Sequence, residues 1–375
     1  MGGDAKQAPL REIESLAVGL ADTARESLAR VREARSELPP QCGVVAFVHI
    51  PKTAGGTVVN MLAQAYSRSA LHDAGNYVVG PKKSSRKLTR RRGGWLEWER
   101  RGGRATAGHV PYAVYRRHLP QGTRYLTFLR EPVDRVVSHY YQHIRQRQDG
   151  RDPRALNRGK VLTGSIEEAF ELGLPMMCNL ATRFLCGHAS PMGKLPENAL
   201  DDAKANLRDF AFVGLQERFE ESILLLQRML GLELTPYLNR HVSIGRPLVA
   251  DLPEEERRLI LAHNQLDAEL YAFGKELFDR SVASAGDGFG ADLDRLTALS
   301  REVNEAALQR AQELLDRELP IGTSKPKAEL FAAARRSGVP AAALKHVTKV
   351  GVRKGGAKLP QAGKPSNAKA WTRTR

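Results

Sequence analysis

The sequence predicts an α/β protein in which helices flank a parallel β-sheet. Three short, continuous apolar runs are typical of strands buried on both faces, over residues 44–50, 125–129 and 210–215. Each run is followed by a segment with apolar residues at three- and four-residue spacing, which predicts helices over 58–66, 133–147 and 220–230. Because strands and helices alternate along the chain, we expect a parallel sheet with helices on its faces.

Further helical patterns predict extensions at both ends of this α/β unit. Residues 10–38 carry apolar residues at helical spacing and end at a Pro-Pro pair, so we expect an N-terminal helical extension over 1–40. Similar spacing predicts helices over 253–278 and 292–319 and a short one over 328–336. The predicted organisation is therefore an α/β domain over 41–280, a helical C-terminal extension over 281–344 and a tail over 345–375.

The positive charge of the chain is concentrated in two segments. The 375 residues include 58 Lys and Arg against 42 Asp and Glu, which gives a formal net charge of +16. Residues 82–92 hold seven basic residues and residues 345–375 hold nine, with no Asp or Glu in either segment. The tail lacks hydrophobic periodicity and is predicted to be disordered. Both segments suit contact with a polyanion such as nucleic acid, a polysaccharide or an acidic membrane. A solvated loop and a solubilising tail are the alternatives.

Cysteine usage and hydropathy favour a reduced, cytoplasmic location. The three cysteines, Cys42, Cys178 and Cys186, are odd in number and form no CxxC pair, which disfavours a disulfide scaffold and a structural zinc site. No apolar run reaches the roughly 20 residues of a membrane span. Residues 1–20 carry several charges and lack the apolar region of a signal peptide. We therefore expect a cytoplasmic protein with no transmembrane segment.

A Gly-rich loop after the first predicted strand has the composition of an anion site. Residues 49–57 read HIPKTAGGT. Gly55 and Gly56 allow the backbone to curl, so that successive N–H groups and the N-terminus of the next helix face one anion. Lys52 supplies a positive charge, and Thr53 and Thr57 supply hydroxyl groups. The lysine precedes the glycines, so the loop is P-loop-like in architecture but lacks the GxxxxGK[ST] pattern of nucleotide triphosphatases. A tight strand-to-helix connection without a ligand is the alternative.

Arg130 and Ser138 form a second candidate anion site. Arg130 follows the predicted strand 125–129, and open parallel sheets bind ligands at the carboxyl ends of their strands. Ser138 comes about two turns into the next predicted helix. A guanidinium and a hydroxyl group can together hold one phosphate. The alternative is that Arg130 pairs with a structural carboxylate, either Glu131 or Asp134.

The two segments HIPKTAGGT and YLTFLREPVDRVVSHYY resemble the two phosphate motifs of the sulfotransferase superfamily. The resemblance is to the branch that contains heparan sulfate 2-O-sulfotransferase and its bacterial relatives. Four further segments are similar to the family, namely AGHVPY (107–112), NLATRFL (179–185), FVGLQERF (212–219) and LDAELY (266–271). The resemblance identifies residues 41–280 as a sulfotransferase domain and says nothing about the two ends of the chain.

The resemblance implies a transfer of a sulfuryl group, without a metal ion, from 3′-phosphoadenosine 5′-phosphosulfate (PAPS) to an acceptor hydroxyl. Lys52 would hold the 5′-phosphosulfate and assist the departure of the leaving phosphate. The other loop residues would surround the same group: Thr53, Ala54, Gly55, Gly56 and Thr57. Arg130 and Ser138 would hold the 3′-phosphate, which distinguishes PAPS from ATP.

His109 is the predicted general base. The acceptor hydroxyl must lose a proton during attack, and a neutral imidazole accepts protons near pH 7. His109 lies in AGHVPY, which resembles the family's Gly-His element. The heparan enzymes carry a second histidine two residues earlier, where this chain has Ala107, so we expect His109 to act alone. His49 is interpreted as a structural residue of the strand end. Arg183 is open between a ligand contact and a structural ion pair.

The sequence leaves the acceptor and the oligomeric state open. The resemblance implies a glycan acceptor, and the basic run 82–92 suits an acidic saccharide. A small molecule or a lipid headgroup is the alternative acceptor. The alternative function is a polyanion- or nucleic-acid-binding protein on an inactive sulfotransferase-like fold. The presence together of Lys52, His109, Arg130 and Ser138 favours the active enzyme.

Overall fold

The computed structural model describes residues 43–76, 98, 102–148, 165–171, 174–188, 193–237 and 246–318. The predicted N-terminal helix, the basic run 82–92, the short helix over 328–336 and the tail 345–375 lie outside the described residues. Of the predicted C-terminal extension, the structure describes one long helix, which begins at Phe289 and ends at Glu318. The domain boundaries given above therefore stay a prediction.

Five parallel strands form one sheet in the order β2-β3-β1-β4-β5. The strands are β1 (Val45–Val48), β2 (Leu71–Asn76), β3 (Ala105–His109), β4 (Arg124–Leu129) and β5 (Phe212–Leu215). All four residues of β1 are fully buried, as expected for the central strand of a parallel sheet covered on both faces. The predicted α/β class and the parallel sheet are confirmed.

Ten α-helices lie in the described part of the chain. They are α1 (Gly55–Ala70), α2 (Tyr112–His118), α3 (Pro132–Gln148), α4 (Ile166–Glu171), α5 (Leu180–Leu185), α6 (Ala199–Arg208), α7 (Phe219–Met229), α8 (Glu254–Ala262), α9 (Gln265–Ala283) and α10 (Phe289–Glu318). A single turn of 3₁₀ helix, Val249–Asp251, precedes α8. Pro132 is the first residue of α3, where its missing N–H leaves no internal hydrogen bond unmade.

The helix predicted over 253–278 is two helices, so that prediction is wrong. The chain breaks at Asn264, between α8 and α9. The Asn264 side-chain amide donates to the carbonyl oxygens of Ile260 and Met177, both at 2.9 Å, and its Oδ1 accepts from the N–H of Asn179 at 2.9 Å. The Asn264 side chain is fully buried, and its three hydrogen bonds fix the turn between the two helices. The spacing of apolar residues along the chain does not indicate this turn.

The sheet separates two apolar layers. Val45 and Phe47 of β1 pack on one side with residues of α1, α7 and α10, whereas Ala46 and Val48 pack on the other side with residues of α2, α5, α6 and α9. This alternation follows from the two-residue period of a strand. Because the strands are parallel, the segments that follow β1, β3 and β4 lie at one edge of the sheet, and these segments contain the predicted site residues.

Candidate donor and catalytic site

The loop after β1 turns through two residues that are not glycines. Lys52 has φ 78° and Ala54 has φ 61°, both in the left-handed region. Gly55 and Gly56 instead begin α1 with ordinary φ values. The prediction that the glycines provide the curl is therefore wrong. Left-handed residues other than glycine cost about 1–3 kcal/mol each and cluster at ligand sites, so this backbone is held in a strained shape at the N-terminus of α1.

The two threonines of the loop are buried and hold its shape. Thr53 Oγ1 donates to the carbonyl oxygen of Ile50 at 2.8 Å, and the N–H of Thr57 donates to the carbonyl of Ala54 at 3.2 Å. Only 1% of Thr53 is exposed. The hydroxyl proton of Thr53 is thus used within the loop, so this side chain stabilises the turn and does not present that proton to an anion.

Gly55 is required by a close approach of the His49 side chain. A Cβ atom at Gly55 would lie 2.0 Å from Nε2 of the His49 imidazole, far inside van der Waals contact. Because Gly55 has no side chain, the His49 imidazole can lie against it. His49 also stacks on Phe47, with ring centroids 5.1 Å apart and an interplanar angle of 12°.

His109, the last residue of β3, is held in the tautomer that a general base needs. Its Nδ1 lies 2.8 Å from the backbone carbonyl oxygen of His49. A carbonyl oxygen only accepts hydrogen bonds, so Nδ1 carries the proton and donates it. In the neutral ring Nε2 then carries the lone pair, which is the atom that would accept a proton from a substrate.

A second imidazole, that of His49, lies beside His109. The expectation that His109 acts alone as the base stays a prediction. The ring centroids of His49 and His109 are 4.1 Å apart, with their planes tilted by 36°. The second ring belongs to the residue that follows β1, the strand next to β3, and not to β3 itself. Adjacency between two strands is a property of sheet order, and spacing along one strand could not indicate it.

Arg130 links the end of β4 to the Gly-rich loop. Its Nε donates to Asp134 Oδ2 at 2.8 Å, and its Nη1 donates to the backbone carbonyl of Lys52 at 2.9 Å. The structural partner considered above is thus Asp134. Glu131 instead accepts from the backbone N–H groups of Val133 and Asp134 at the start of α3. A guanidinium has five N–H donors, so Arg130 can hold the loop and still bind an anion.

Arg246 is a residue of this site that the sequence analysis missed. Its Nη1 donates to Asp134 Oδ1, so the Asp134 carboxylate lies between the guanidiniums of Arg246 and Arg130. Burial raises the pKa of Asp134, but hydrogen bonds from Arg246 and the charge of Arg130 outweigh it and leave that pKa below its usual value. Arg246 belongs to none of the motifs described above, so only the fold could place it here.

Ser138 presents a buried hydroxyl for which the described residues offer no partner. Its side chain is on α3, two turns after Arg130, and only 1% of the residue is exposed. Among the described residues, none makes a hydrogen bond to Ser138 Oγ. Burial of an unsatisfied polar atom costs about 1–3 kcal/mol. A phosphate oxygen held by Ser138 and Arg130 would remove that cost, so these residues fit the predicted 3′-phosphate.

His139 and His143 form a second pair of histidines on α3. Their Nε2 atoms are 3.1 Å apart, and neither Nδ1 has a hydrogen-bond partner within the described part of the chain. Burial, then the charges of His143, Arg135, Lys52 and His109, holds the pKa of His139 well below its usual value. Burial, with the charge of Lys52, lowers the pKa of His143 to about 4. Both rings are therefore neutral at pH 7.

This pair predicts a loss of stability in acid. An unfolded histidine titrates near pH 6.5 and folded His143 near pH 4, so between these values the unfolded chain binds more protons. The free energy of unfolding should therefore fall as the pH falls from 6.5 to 4, by up to about 3 kcal/mol from His143. Denaturant unfolding at a series of pH values measures this loss. The double variant His139→Leu/His143→Leu should lose less stability over the same range.

Exposed His188 supplies the matched control, because 47% of its side chain is accessible and it pairs with Asp202 at the surface. The variant His188→Ala leaves the buried pair in place, so it should still lose stability between pH 6.5 and pH 4. An unchanged pH dependence in the double leucine variant would contradict the assignment to the buried pair.

Arg183 has structural contacts. Its Nε donates to the carbonyl of Cys178 at 2.8 Å, and its Nη1 donates to the carbonyl of Gly193 at 2.5 Å. Nearby, the buried Asp267 carboxylate accepts from the N–H groups of Ala181 and Thr182 at 3.0 and 2.8 Å. These bonds join two of the family-like segments, NLATRFL and LDAELY, to each other. The two segments therefore stabilise each other in the folded chain.

No group of three or more His, Cys, Asp and Glu side chains is arranged to hold a metal ion in the described part of the chain. Within the same residues, no helix combines the length and the apolar character needed to cross a membrane.

Comparison with known proteins gives consistent matches. The model of the sulfotransferase family matches residues 40–274. Human heparan-sulfate 6-O-sulfotransferase 1 is 27% identical over 314 residues, which cover 73% of this chain and 74% of the relative. Zebrafish (Danio rerio) heparan-sulfate 6-O-sulfotransferase 3-B is 25% identical over 315 residues, with 68% of this chain and 74% of the relative covered. These relatives are 6-O-sulfotransferases, whereas the motifs suggested a likeness to the 2-O enzyme of the same family.

Two solved structures overlap weakly with this fold. A sulfotransferase from Alicyclobacillus acidocaldarius is 16% identical with a TM-score of 0.33, and the overlap covers 62% of this chain and 95% of that one. Mouse sulfotransferase SULT7A1 in complex with PAP is 10% identical with a TM-score of 0.30, over 62% of this chain and 67% of that one. The assignment therefore depends on the family model, which spans more than half of the sequence: the chain belongs to the sulfotransferase family.

Proposed function

We propose that this protein transfers the sulfuryl group of PAPS to a hydroxyl group of a carbohydrate. The observation that carries the proposal is the hydrogen bond between His109 Nδ1 and the His49 carbonyl, at 2.8 Å, in the strand next to the Lys52 loop. This hydrogen bond keeps the proton of the neutral ring on Nδ1, so the lone pair of Nε2 can accept a proton from the acceptor hydroxyl. Membership of the family indicates that PAPS is the donor, and the buried hydroxyl of Ser138, two turns along the chain from Arg130, suits the 3′-phosphate of PAPS.

Binding of the donor uses two parts of the same edge. The Lys52 charge and the N-terminus of α1 attract the 5′-phosphosulfate, and Arg130 with Ser138 binds the 3′-phosphate. Arg130 also donates to the Lys52 carbonyl at 2.9 Å. The residue that binds the 3′-phosphate therefore also stabilises the loop that binds the 5′-phosphosulfate. We infer that the two ends of the donor bind cooperatively.

In the chemical step, the acceptor oxygen attacks the sulfur atom as His109 Nε2 takes the hydroxyl proton. A new S–O bond to the acceptor forms, and the bond from sulfur to the bridging oxygen breaks. The electron pair of the broken bond leaves with 3′-phosphoadenosine 5′-phosphate (PAP). Lys52 and the N–H groups of the loop stabilise the negative charge that develops on this oxygen.

A saccharide acceptor is supported by the similarity of this chain to heparan-sulfate 6-O-sulfotransferases. By analogy with these relatives, we propose a primary hydroxyl of an acidic polysaccharide as the first acceptor to test. The basic run 82–92 suits this class, although it lies outside the described residues. The cytoplasmic location expected from the sequence stays a prediction.

Transfer of radioactive sulfate from [³⁵S]PAPS to a panel of saccharides tests the proposal. The panel contains heparan sulfate, 6-O-desulfated heparin, 2-O-desulfated heparin and a neutral glucan. We expect labelling of a 6-O-desulfated acidic saccharide and not of the neutral one, and the labelling should require His109. Labelling of none of these acceptors by protein that binds PAP would overturn the carbohydrate assignment.

If the acceptor is acidic, the KM for the acceptor should depend on the salt concentration. If the run 82–92 attracts a polyanion, the KM for the saccharide should rise several-fold between about 50 and 300 mM salt, because screening shortens the reach of the charges. The KM for PAPS should rise less. Replacement of Arg90, Arg91 and Arg92 by Ala should reduce the salt dependence. A saccharide KM that does not change with salt would contradict this role for the segment.

The alternative function, polyanion or nucleic-acid binding on an inactive fold, is motivated by the segments 82–92 and 345–375. Both lie outside the described residues, and no specific contact in the described part of the chain favours it.

A further inference from the structure

His49 lies between the donor loop and the predicted base. Val48 pairs with Gly108 in the register of β1 and β3, so the next residues, His49 and His109, are side by side. Their ring centroids are 4.1 Å apart, and the His49 carbonyl accepts from His109 Nδ1 at 2.8 Å. Both the ring and the backbone of His49 therefore contact the base.

The same ring lies flat against the start of the helix that follows the donor loop. A Cβ at Gly55 would be 2.0, 2.1 and 2.3 Å from Nε2, Cε1 and Cδ2 of His49. Three ring atoms at nearly equal distances indicate that the face of the ring lies over the position that a Gly55 side chain would occupy. Gly55 is the first residue of α1, where the predicted 5′-phosphosulfate meets the helix N-terminus. The ring thus fills the space between this end of the donor site and His109.

We propose that the His49 ring is a positioning residue, a flat spacer that sets the orientation of the His109 imidazole relative to the Gly55 end of the donor loop. The inference rests on the proposed function, because it takes His109 as the base. In-line attack requires the acceptor oxygen to reach both the sulfur atom and His109 Nε2. A misplacement of about 1 Å can lower a rate by about 10²-fold, so a spacer at this position affects the chemical step.

A double-mutant cycle between His49 and Gly55 tests the spacer. His49→Ala should lower kcat by about 10- to 100-fold with little change in the KM for PAPS. Gly55→Ala should lower kcat comparably, because the added methyl group displaces the ring. In the His49→Ala background, Gly55→Ala should have almost no further effect, because the space is already vacant. Full additivity of the two losses would overturn the proposal, since Gly55 would then act on the donor directly.

His49→Phe separates shape from chemistry. A phenyl ring can lie flat on Gly55 but cannot donate, accept or titrate a proton, so this variant should recover most of the wild-type kcat. If His49→Phe is as slow as His49→Ala while both still gain stability from PAP, the ring acts through its nitrogen atoms and the spacer role is wrong. The control is His188→Ala, an exposed histidine whose replacement should leave kcat unchanged.

Failure of this inference can be told apart from failure of the proposed function. If the wild-type protein transfers no sulfuryl group, the proposed function is wrong. The spacer role of His49 is then tested only by the NMR resonances of the His109 ring. Gly55→Ala should move the His109 ring resonances in the wild-type background and should not move them in the His49→Ala background. Equal movement in both backgrounds would overturn the spacer.

Discussion

Replacement of His109 by Ala should lower kcat by about 10²- to 10⁴-fold without loss of PAP binding. The acceptor hydroxyl holds its proton tightly, and His109 Nε2 is the lone pair that the structure prepares for it, because Nδ1 is committed to the His49 carbonyl at 2.8 Å. The donor contacts that we propose for Lys52, Arg130 and Ser138 do not involve this ring. Rates with [³⁵S]PAPS and the rise in unfolding temperature with PAP measure the two quantities separately.

Two controls sharpen this prediction. His188→Ala, at the exposed histidine paired with Asp202, should keep the wild-type rate. Imidazole added to the solution should restore part of the rate of the His109→Ala variant and should not accelerate the wild-type protein. Full activity in His109→Ala would remove this residue from the mechanism.

Replacement of Arg130 by Ala should weaken the binding of PAP far more than that of adenosine 5′-monophosphate (AMP). Hydrogen bonds to charged groups contribute about 1.5–3 kcal/mol, which corresponds to a loss of about 10- to 150-fold in PAP affinity. AMP lacks the 3′-phosphate and should lose less. It should still lose some affinity, because Arg130 also donates to the Lys52 carbonyl at 2.9 Å and so supports the loop for the 5′ group. Calorimetric titration of both nucleotides measures the difference.

Ser138→Ala is the matched variant for this experiment. Its hydroxyl has no hydrogen-bond partner among the described residues, so its removal should disturb no contact in the ligand-free protein. We expect a smaller loss of PAP affinity, about 2- to 10-fold, and an unchanged AMP affinity. Equal weakening of PAP and AMP in both variants would contradict the assignment of Arg130 and Ser138 to the 3′-phosphate.

Much of the fold could be predicted because three of the five strands carry strong local signals. β1, β4 and β5 are continuous apolar runs, and the structure places them side by side in a parallel sheet. The outer strand β2, Leu71–Asn76, and β3, Ala105–His109, contain polar and small residues, and neither was recognised as a strand. They become strands by pairing with their neighbours, which is tertiary information. The break at Asn264 was missed for a similar reason, because distant carbonyl groups fix it.

The candidate site could be predicted in its composition but not in its internal contacts. The motifs indicated Lys52, His109 and Arg130, and these follow the carboxyl ends of neighbouring strands or lie there. The contact between His49 and His109 depends on the register of two strands far apart in sequence. The position of Arg246 depends on how a later segment folds back onto α3. The left-handed residues of the loop are Lys52 and Ala54, where composition pointed to the glycines.

The most direct test of the account is the stability of the protein with three nucleotides. The central claim is that the edge of the sheet binds a nucleotide with a phosphate at both its 5′ and 3′ positions. At about 100 times its dissociation constant, PAP should stabilise the fold by roughly 2.7 kcal/mol, which raises the unfolding temperature by several degrees. AMP and ATP at the same concentration should raise the unfolding temperature much less. The variant Ser138→Ala should reduce the rise caused by PAP and should leave the rises caused by AMP and ATP unchanged. A rise with ATP that equals or exceeds the rise with PAP would contradict the claim.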